Sequence, residues 1–340
     1  PLTRVDRRIE LTAATPLREG TIGAAVIGAG EFARAVVLPT LGKSRDLDLR
    51  GVASLHGHTA THAAERFGAA YATTDPAQIL MDDSVAVVWI TTTHESHADL
   101  SIKALEAGKH VFLEKPVALT LQDAQNVVRA ATTDRVLMVG FNRRFAPASR
   151  VTAEHVRGAG SMQISYRVRG DSLPEGHWLD DPARGGGRLR GEAVHFFDWM
   201  AWLLGAEPTR VHATGSDAPG GSMQVQVQTE FADGSLGTLI YSTGGASATP
   251  KERVEVLAEG VTTVINDFAS VTVVKGTSRA KTIRASGKGH AEQMAAFAAS
   301  LRTGERIGPD ATDGARATAC AVAALESIRS RQPRDLDPAA

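Results

Sequence analysis

The sequence predicts an α/β protein of two domains, the first on a parallel sheet and the second on an open, mainly antiparallel one. Three observations predict it. The chain has 340 residues, more than the roughly 100–200 of one domain. From Thr21 to Val139, short apolar runs alternate with helical stretches, the pattern of βαβ units. From about residue 161 to 275, strand-like segments follow one another with turn residues and little helix between them, as in antiparallel sheets.

Composition narrows the function. With 37 Lys+Arg against 38 Asp+Glu the net charge is −1, which argues against a nucleic-acid binder needing a basic surplus. The longest apolar runs, Val85–Ile90 and Thr318–Leu325, fall far short of the roughly 18 residues of a membrane span. Cys320 is the one cysteine; it cannot form an intrachain disulfide, and we expect a cytoplasmic, reducing location. Residues 1–20 lack the layout of a secretory signal and read as a polar arm or linker.

In order, Ile22–Ile27 is a β-type run ending at a glycine turn, and Glu31–Leu41 is helical. Leu47–Ser54 is a strand and Thr59–Phe67 a helix. Asp75 caps a short helix reaching Leu80. Val85–Ile90, apolar throughout, fits a strand buried on both faces. Glu95–Ala107 is a helix stopped by Gly108. His110–Leu113 and Val136–Val139 are strands flanking a helix over Thr120–Ala131. A helix at Gly191–Leu204 precedes most of the second set of strands, predicted at 161–170, 209–216, 222–232, 235–242, 253–258, 261–266 and 270–275. Helices near Ala291–Leu301 and Thr312–Ile328 close the chain. The expected division is 1–20, 21–145 and 146–340, with the boundary near Phe145–Ala153 and the last helices able to pack back across it.

The first chemical signal is Gly28-Ala29-Gly30-Glu31-Phe32-Ala33, between a strand and a helix. Gly28 permits the turn, Gly30 lets backbone approach a pyrophosphate at a helix N-terminus, and Ala33 allows close helix–strand packing. This is a dinucleotide site on a Rossmann domain. An acid normally ends the second strand to grip the ribose of NAD. Here Ser54 stands in its place, followed by His56 and His58 and by no arginine. The cofactor is therefore NAD or NADP, leaning to NADP. Glu114-Lys115-Pro116 follows the strand ending at Leu113, where open α/β sheets bind ligands. Lys115 is thereby a candidate proton donor and acceptor.

These motifs, with Ala107-Gly108-Lys109-His110-Val111, Gly140-Phe141-Asn142-Arg143-Arg144-Phe145, Gly185-Gly186-Gly187 and His195-x-x-Asp198, resemble the glucose–fructose oxidoreductase/inositol dehydrogenase/MocA family over residues 21–330. The resemblance implies a Rossmann domain followed by an α/β domain with an open, mainly antiparallel sheet. It implies Lys115 as the catalytic lysine, a cis Lys115–Pro116 peptide, and chemistry at a carbinol carbon of a sugar or cyclitol. It also exposes a departure. The family usually has an Asp four residues before the helix histidine, where this chain has Gly191, and the acid is displaced to Glu192.

His195 and Glu192 join Lys115 as catalytic candidates, and Asp198 reads as structural. A metal held by Glu192, His195 and Asp198 lacks assured convergent geometry, and none is expected. Thr91, Thr92 and Thr93 should run under the cofactor, with His97 facing the cleft and Glu114 and Asn142 also near it. Of Arg143 and Arg144, one can bind an anionic substrate group and the other form an ion pair. His177 and Trp178 line the substrate site or anchor a loop. Trp199, Trp202 and Cys320 read as packing residues.

The function expected is NAD(P)-dependent hydride transfer at a carbinol or ketone carbon of a sugar, cyclitol or nucleotide sugar. The alternative is a non-catalytic NAD(P)-binding sensor or partner module, excised from a longer fused dehydrogenase. A homo-oligomer is expected, because one face of the second sheet is left for a partner, and the resemblance implies pairing through it.

Overall fold

The computed structural model describes residues 7–11, 17–131, 134–216 and 223–337. The chain forms two units. One comprises Pro1–Val117, Asn126–Gly140 and Ala296–Ala311, and the other Ala118–Gln125, Phe141–Ala295 and Thr312–Ala340.

In the first unit the strands are β1 (Arg8–Glu10), β2 (Ile22–Ile27), β3 (Leu47–Ala53), β4 (Tyr71–Thr73), β5 (Val87–Ile90), β6 (His110–Leu113) and β7 (Leu137–Val139). Their order is β1-β4-β3-β2-β5-β6-β7 among the described residues. β2 to β7 pair in parallel. The apolar run at residues 87–90 is buried throughout, as its lack of alternation requires. Strand order reverses at β2, with β3 on one side and β5 on the other. The crevice beyond the carboxyl ends there is the place an open sheet offers a ligand.

The arm expected at residues 1–20 needs correction in its described part. Arg8–Glu10 pairs antiparallel with β4, and the Arg8 guanidinium lies 3.5 Å from the Tyr71 ring centroid. Three residues are too few to show alternation, so neither β1 nor β4 was legible. Residues 1–6 and 12–16 of the arm lie outside the described residues.

The helices introduced by this half are α1 (Leu38–Gly42), α2 (Gly57–Phe67), α3 (Pro76–Leu80), α4 (His97–Glu106) and α5 (Leu121–Ala130). Asp75 caps α3 as expected, its Oδ1 accepting the Ala77 N–H at 3.0 Å. The helix expected over Glu31–Leu41 contains a π turn, Ala33–Val37, ahead of α1. Pro39 explains it. Proline has no N–H to give and its ring clashes with the carbonyl four residues back, so the ladder widens and the Leu38 N–H reaches Ala33 O.

The second unit is built on β8 (Gln163–Arg169), β9 (Pro208–Ser216), β10 (Gln224–Phe231), β11 (Leu236–Ser242), β12 (Glu252–Ala258), β13 (Val261–Asn266), β14 (Ser270–Lys275), β15 (Lys281–Arg284) and β16 (Arg334–Asp335). The order is β15-β14-β13-β12-β8-β11-β10-β9-β16. Its pairs are antiparallel except β8 with β11. The short edge strands β15 and β16 were not predicted. Burial alternates along β8, β10, β11 and β12, so one face is core and the other is not.

Four helices complete the chain: α6 (Pro147–Val156), α7 (Val194–Leu204), α8 (His290–Thr303) and α9 (Ala311–Ser330). α6 stands where the sequence suggested a boundary, and packs on β13 and β14. Trp199 of α7 donates from Nε1 to Ser149 Oγ of α6 at 2.8 Å, a packing role as expected. Cys320 is buried in α9, and burial pushes its thiol up to about 12. Among the described residues no helix is long and apolar enough to cross a membrane.

Candidate active site

The glycine turn lies between β2 and the helical segment that follows it. Gly28 has φ +103°, and a Cβ there would meet the Thr91 carbonyl carbon at 2.6 Å. The turn thus rests directly on the loop after β5. Thr91 Oγ1 donates to Gly28 O at 2.6 Å and fastens the two loops together. A Cβ at Gly30 would meet nothing within 4 Å, so that side of the turn is open to an approaching group. Ala33 is fully buried. Glu31 is exposed and Phe32 is 37% exposed. This cradle fits a pyrophosphate.

Threonines 92 and 93 shape the same loop. Thr92 Oγ1 accepts from Ser96 Oγ at 2.6 Å, and Thr93 Oγ1 donates to Glu95 Oε1 at 2.8 Å. At the end of β3, Ser54 is half-buried and donates its N–H to Thr73 O at 3.1 Å. His56 and His58 are exposed, and their rings stack with centroids 5.8 Å apart.

The scaffold of Lys115 is β6. Lys109, ahead of it, donates from Nζ to Asp82 O at 2.9 Å and Val85 O at 2.7 Å. His110 Nδ1 accepts the Val136 N–H at 3.0 Å. These motif residues therefore hold the strand rather than perform chemistry. Glu114 and Lys115 follow at its carboxyl end, and the Lys115–Pro116 peptide is cis, as the resemblance implied. Burial pushes the Glu114 carboxyl up to about 7, against the pull of Lys115 and its backbone N–H. A Cβ at Gly140 would lie 2.8 Å from Glu114 Oε1. Gly140 thus makes room for that carboxyl, a role only the folded neighbour reveals.

His97 corrects an expectation. It is fully buried, so it does not face a cleft. Its Nδ1 lies 2.7 Å from Pro116 O and its Nε2 3.1 Å from Thr92 O.

In the second unit, a π turn (Leu189–Ala193) leads into α7. His195 is 9% exposed, with its ring 5.9 Å from that of Phe141. Glu192 accepts from Tyr241 Oη, and from Arg188 Nη1 at 3.1 Å. Arg188 also donates to Tyr241 Oη at 2.9 Å and to Asp171 O. Glu192 is therefore oriented by β11 and by its own helical turn. Tyr241 was missed in the sequence; its one signal is an inward position in the alternation of β11.

Arg143 and Arg144 do not divide as expected. Arg143 binds Glu252 in bidentate fashion at 2.7 and 2.9 Å. Arg144 binds both oxygens of Asp198 and also Asp313. Both guanidinium groups pair with carboxylates, so both make the ion pair expected of one of them, and Asp198 is a partner in one of these pairs. Burial opposes ionisation of Glu252, yet Arg143 and Lys288 hold it well below the usual carboxylate range. Asn142 is buried, and its Nδ2 donates to Lys288 O at 2.8 Å. His177 Nδ1 accepts the Leu179 N–H at 3.2 Å and its ring lies 5.8 Å from that of Trp178, the loop-anchoring arrangement.

Comparison with known proteins decides the family. Residues 22–141 match the model of an oxidoreductase family with an NAD-binding Rossmann fold, and residues 161–336 match the C-terminal alpha/beta domain of the same family. The chain belongs to the glucose–fructose oxidoreductase/inositol dehydrogenase/MocA family. It is 28% identical to inositol 2-dehydrogenase of Rhizobium meliloti, over 92% of this chain and 98% of that one. It is 29% identical to inositol 2-dehydrogenase 2 of Paenarthrobacter aurescens, over 93% and 97%. A levoglucosan dehydrogenase complex with NADH and levoglucosan shares the fold at a TM-score of 0.81, with 23% identity, covering 93% of this chain and 99% of that one. The protein is an NAD(P)-dependent oxidoreductase of this family.

Proposed function

We propose that the protein oxidises or reduces a carbinol carbon of a sugar or cyclitol, with Lys115 exchanging the hydroxyl proton. The observation that carries this is the lysine loop. Lys115 stands just past the carboxyl end of β6, in the same unit as the glycine cradle. The dehydrogenase names of relatives matched along nearly their whole length support the substrate class and weigh against the sensor reading.

A nicotinamide cofactor held by the Gly28–Gly30 turn and the Thr91–Thr93 loop would supply or accept the hydride. The protein's residues orient the substrate and move the proton. A neutral Lys115 amine accepts a proton from the alcohol during oxidation, and its ammonium returns one during reduction. His195 is the second candidate for that exchange. Glu192, held by Tyr241 and Arg188, is proposed to bind a substrate hydroxyl in place of the acid missing at Gly191. NAD or NADP is accepted, leaning to NADP, because Ser54 brings no charge to repel a 2′-phosphate and the paired His56 and His58 can meet one. A homo-oligomer in a reducing, cytoplasmic compartment completes the proposal.

A panel of sugars, cyclitols and nucleotide sugars, assayed with both cofactors, tests the reading. Native protein should turn over at least one polyol, and Lys115→Met should lower turnover about 100-fold or more with little change in cofactor affinity. Near-native turnover by Lys115→Met would remove Lys115 from the mechanism. Ser54→Asp should shift preference toward NAD.

A further inference from the structure

His97 is a buried polar side chain that the proton exchange does not use. It opens α4, and its ring sits between two carbonyl oxygens from two different loops. Pro116 O belongs to the residue directly after Lys115. Thr92 O belongs to the loop on which the glycine turn rests. Burial disfavours the charged ring; nearby Lys115 disfavours it too, while the two carbonyls and Glu95 favour it, and the His94 ring lies 5.4 Å away. A neutral imidazole carries one N–H and can donate to only one of the carbonyls. The contact at Nδ1 is the shorter, 2.7 Å against 3.1 Å at Nε2, which favours Nδ1 as the donor.

We propose that His97 is a positioning residue for Lys115: its Nδ1–H grips Pro116 O and fixes the loop that presents the amine. The proposal rests on the role of Lys115 given above. It assigns His97 an effect on turnover without any contact to cofactor or substrate. A misplacement of about 1 Å in a reacting group can cost up to about 100-fold in rate, so the grip has a kinetic consequence.

Two substitutions separate the two carbonyls. An asparagine amide can place its Nδ2 near the imidazole Nδ1, within reach of Pro116 O. A glutamine amide reaches toward the Nε2 position and Thr92 O instead. His97→Asn should keep kcat within about 3-fold of native, whereas His97→Gln should lower it about 10-fold or more, with KM and cofactor Kd unchanged in both. Equal kcat in the two variants, or losses that follow their melting temperatures, would overturn the proposal.

Two measurements need no substrate. The imidazole 15N shifts of native protein should show the Nδ1–H tautomer at His97, and an Nε2–H tautomer would refute the grip. With lysines reductively 13C-methylated, the Lys115 resonance should be native-like in His97→Asn and displaced in His97→Gln. If Lys115→Met turns over like native protein, the lysine's role fails, and these spectra still decide whether His97 holds its loop.

Discussion

Gly28 and Gly30 stand two residues apart and do different work. Gly28 is required by its own backbone: φ is +103°, and a Cβ would overlap the Thr91 carbonyl. Gly30 is required by nothing in the protein, since its Cβ would stand in open space. Gly28→Ala should therefore lose about 1–3 kcal/mol of stability from backbone strain alone, before any effect on binding. Gly30→Val should keep a near-native melting temperature and lose cofactor affinity, because only the cofactor needs that space. Thermal unfolding without cofactor, paired with cofactor titration, checks both halves. A Gly30→Val protein that binds cofactor like native would show that the pyrophosphate does not approach this turn. Glu114 adds a pH effect at the same scale. Its folded value near 7 exceeds the usual 4.5, so the folded state holds a proton that the unfolded chain has lost between these values. Its contribution to stability is present below about pH 4.5 and is lost as pH rises through 7.

At the scale of elements, the buried pair Arg143–Glu252 joins the turn after β7 to the start of β12, and Tyr166 of β8 donates to the same carboxylate at 2.6 Å. Glu252→Gln would leave the Arg143 charge buried without its counter-ion, a change that typically costs about 3–5 kcal/mol. The sign of the pH dependence follows from the depressed value of Glu252. Its stabilisation is complete above the usual glutamate value and is lost as pH falls through the lower folded one. Melting temperatures from pH 7 down to 3 should fall less steeply in Glu252→Gln than in native protein; parallel slopes would contradict the assignment. This pair also shows where the sequence stops being legible. Local patterns were enough for the parallel sheet, the glycine turn and seven strands of the second sheet, because hydrophobic period and turn residues are local; the cis Lys115–Pro116 peptide was implied by the family resemblance alone. Arg143 and Glu252 are separated by 109 positions, so no spacing rule could join them, and one of Arg143 and Arg144 read as an anion binder. Tyr241 under Glu192 and Gly140 beside Glu114 were hidden for the same reason. β1, β4 and β16 were too short to carry a period, and the Pro39 π turn looked like ordinary helix.

For the molecule as a whole, the outward face of the second sheet sets the expected assembly. Registers place Leu236 of β11 and Leu257 of β12 on either side of Gln163 of β8, in one row across the sheet. Two rows further along, Ile240 stands beside Arg167, and Arg167 beside Arg253. Leu236, Ile240 and Leu257 are 50%, 39% and 45% exposed, whereas their neighbours Leu239, Tyr241 and Val256 on the inner face are buried. Three exposed aliphatic side chains on the two strands that flank β8 offer apolar surface that a partner can cover, and a twofold partner would cover it with the same surface. The flanking Arg167 and Arg253, with Glu255 two residues along β12, allow self-complementary charge pairing. We therefore predict a homo-oligomer through this face. Leu236→Glu with Leu257→Glu should place like charges opposite each other and lower the mass measured by light scattering at micromolar concentration to that of a smaller species. The fold should survive, since neither side chain contributes to the inner core. Cofactor binding by the separated chains should persist, because the glycine cradle belongs entirely to the first unit. A native mass equal to one chain would overturn the assembly, and an unchanged mass in the double variant would move the interface to another surface.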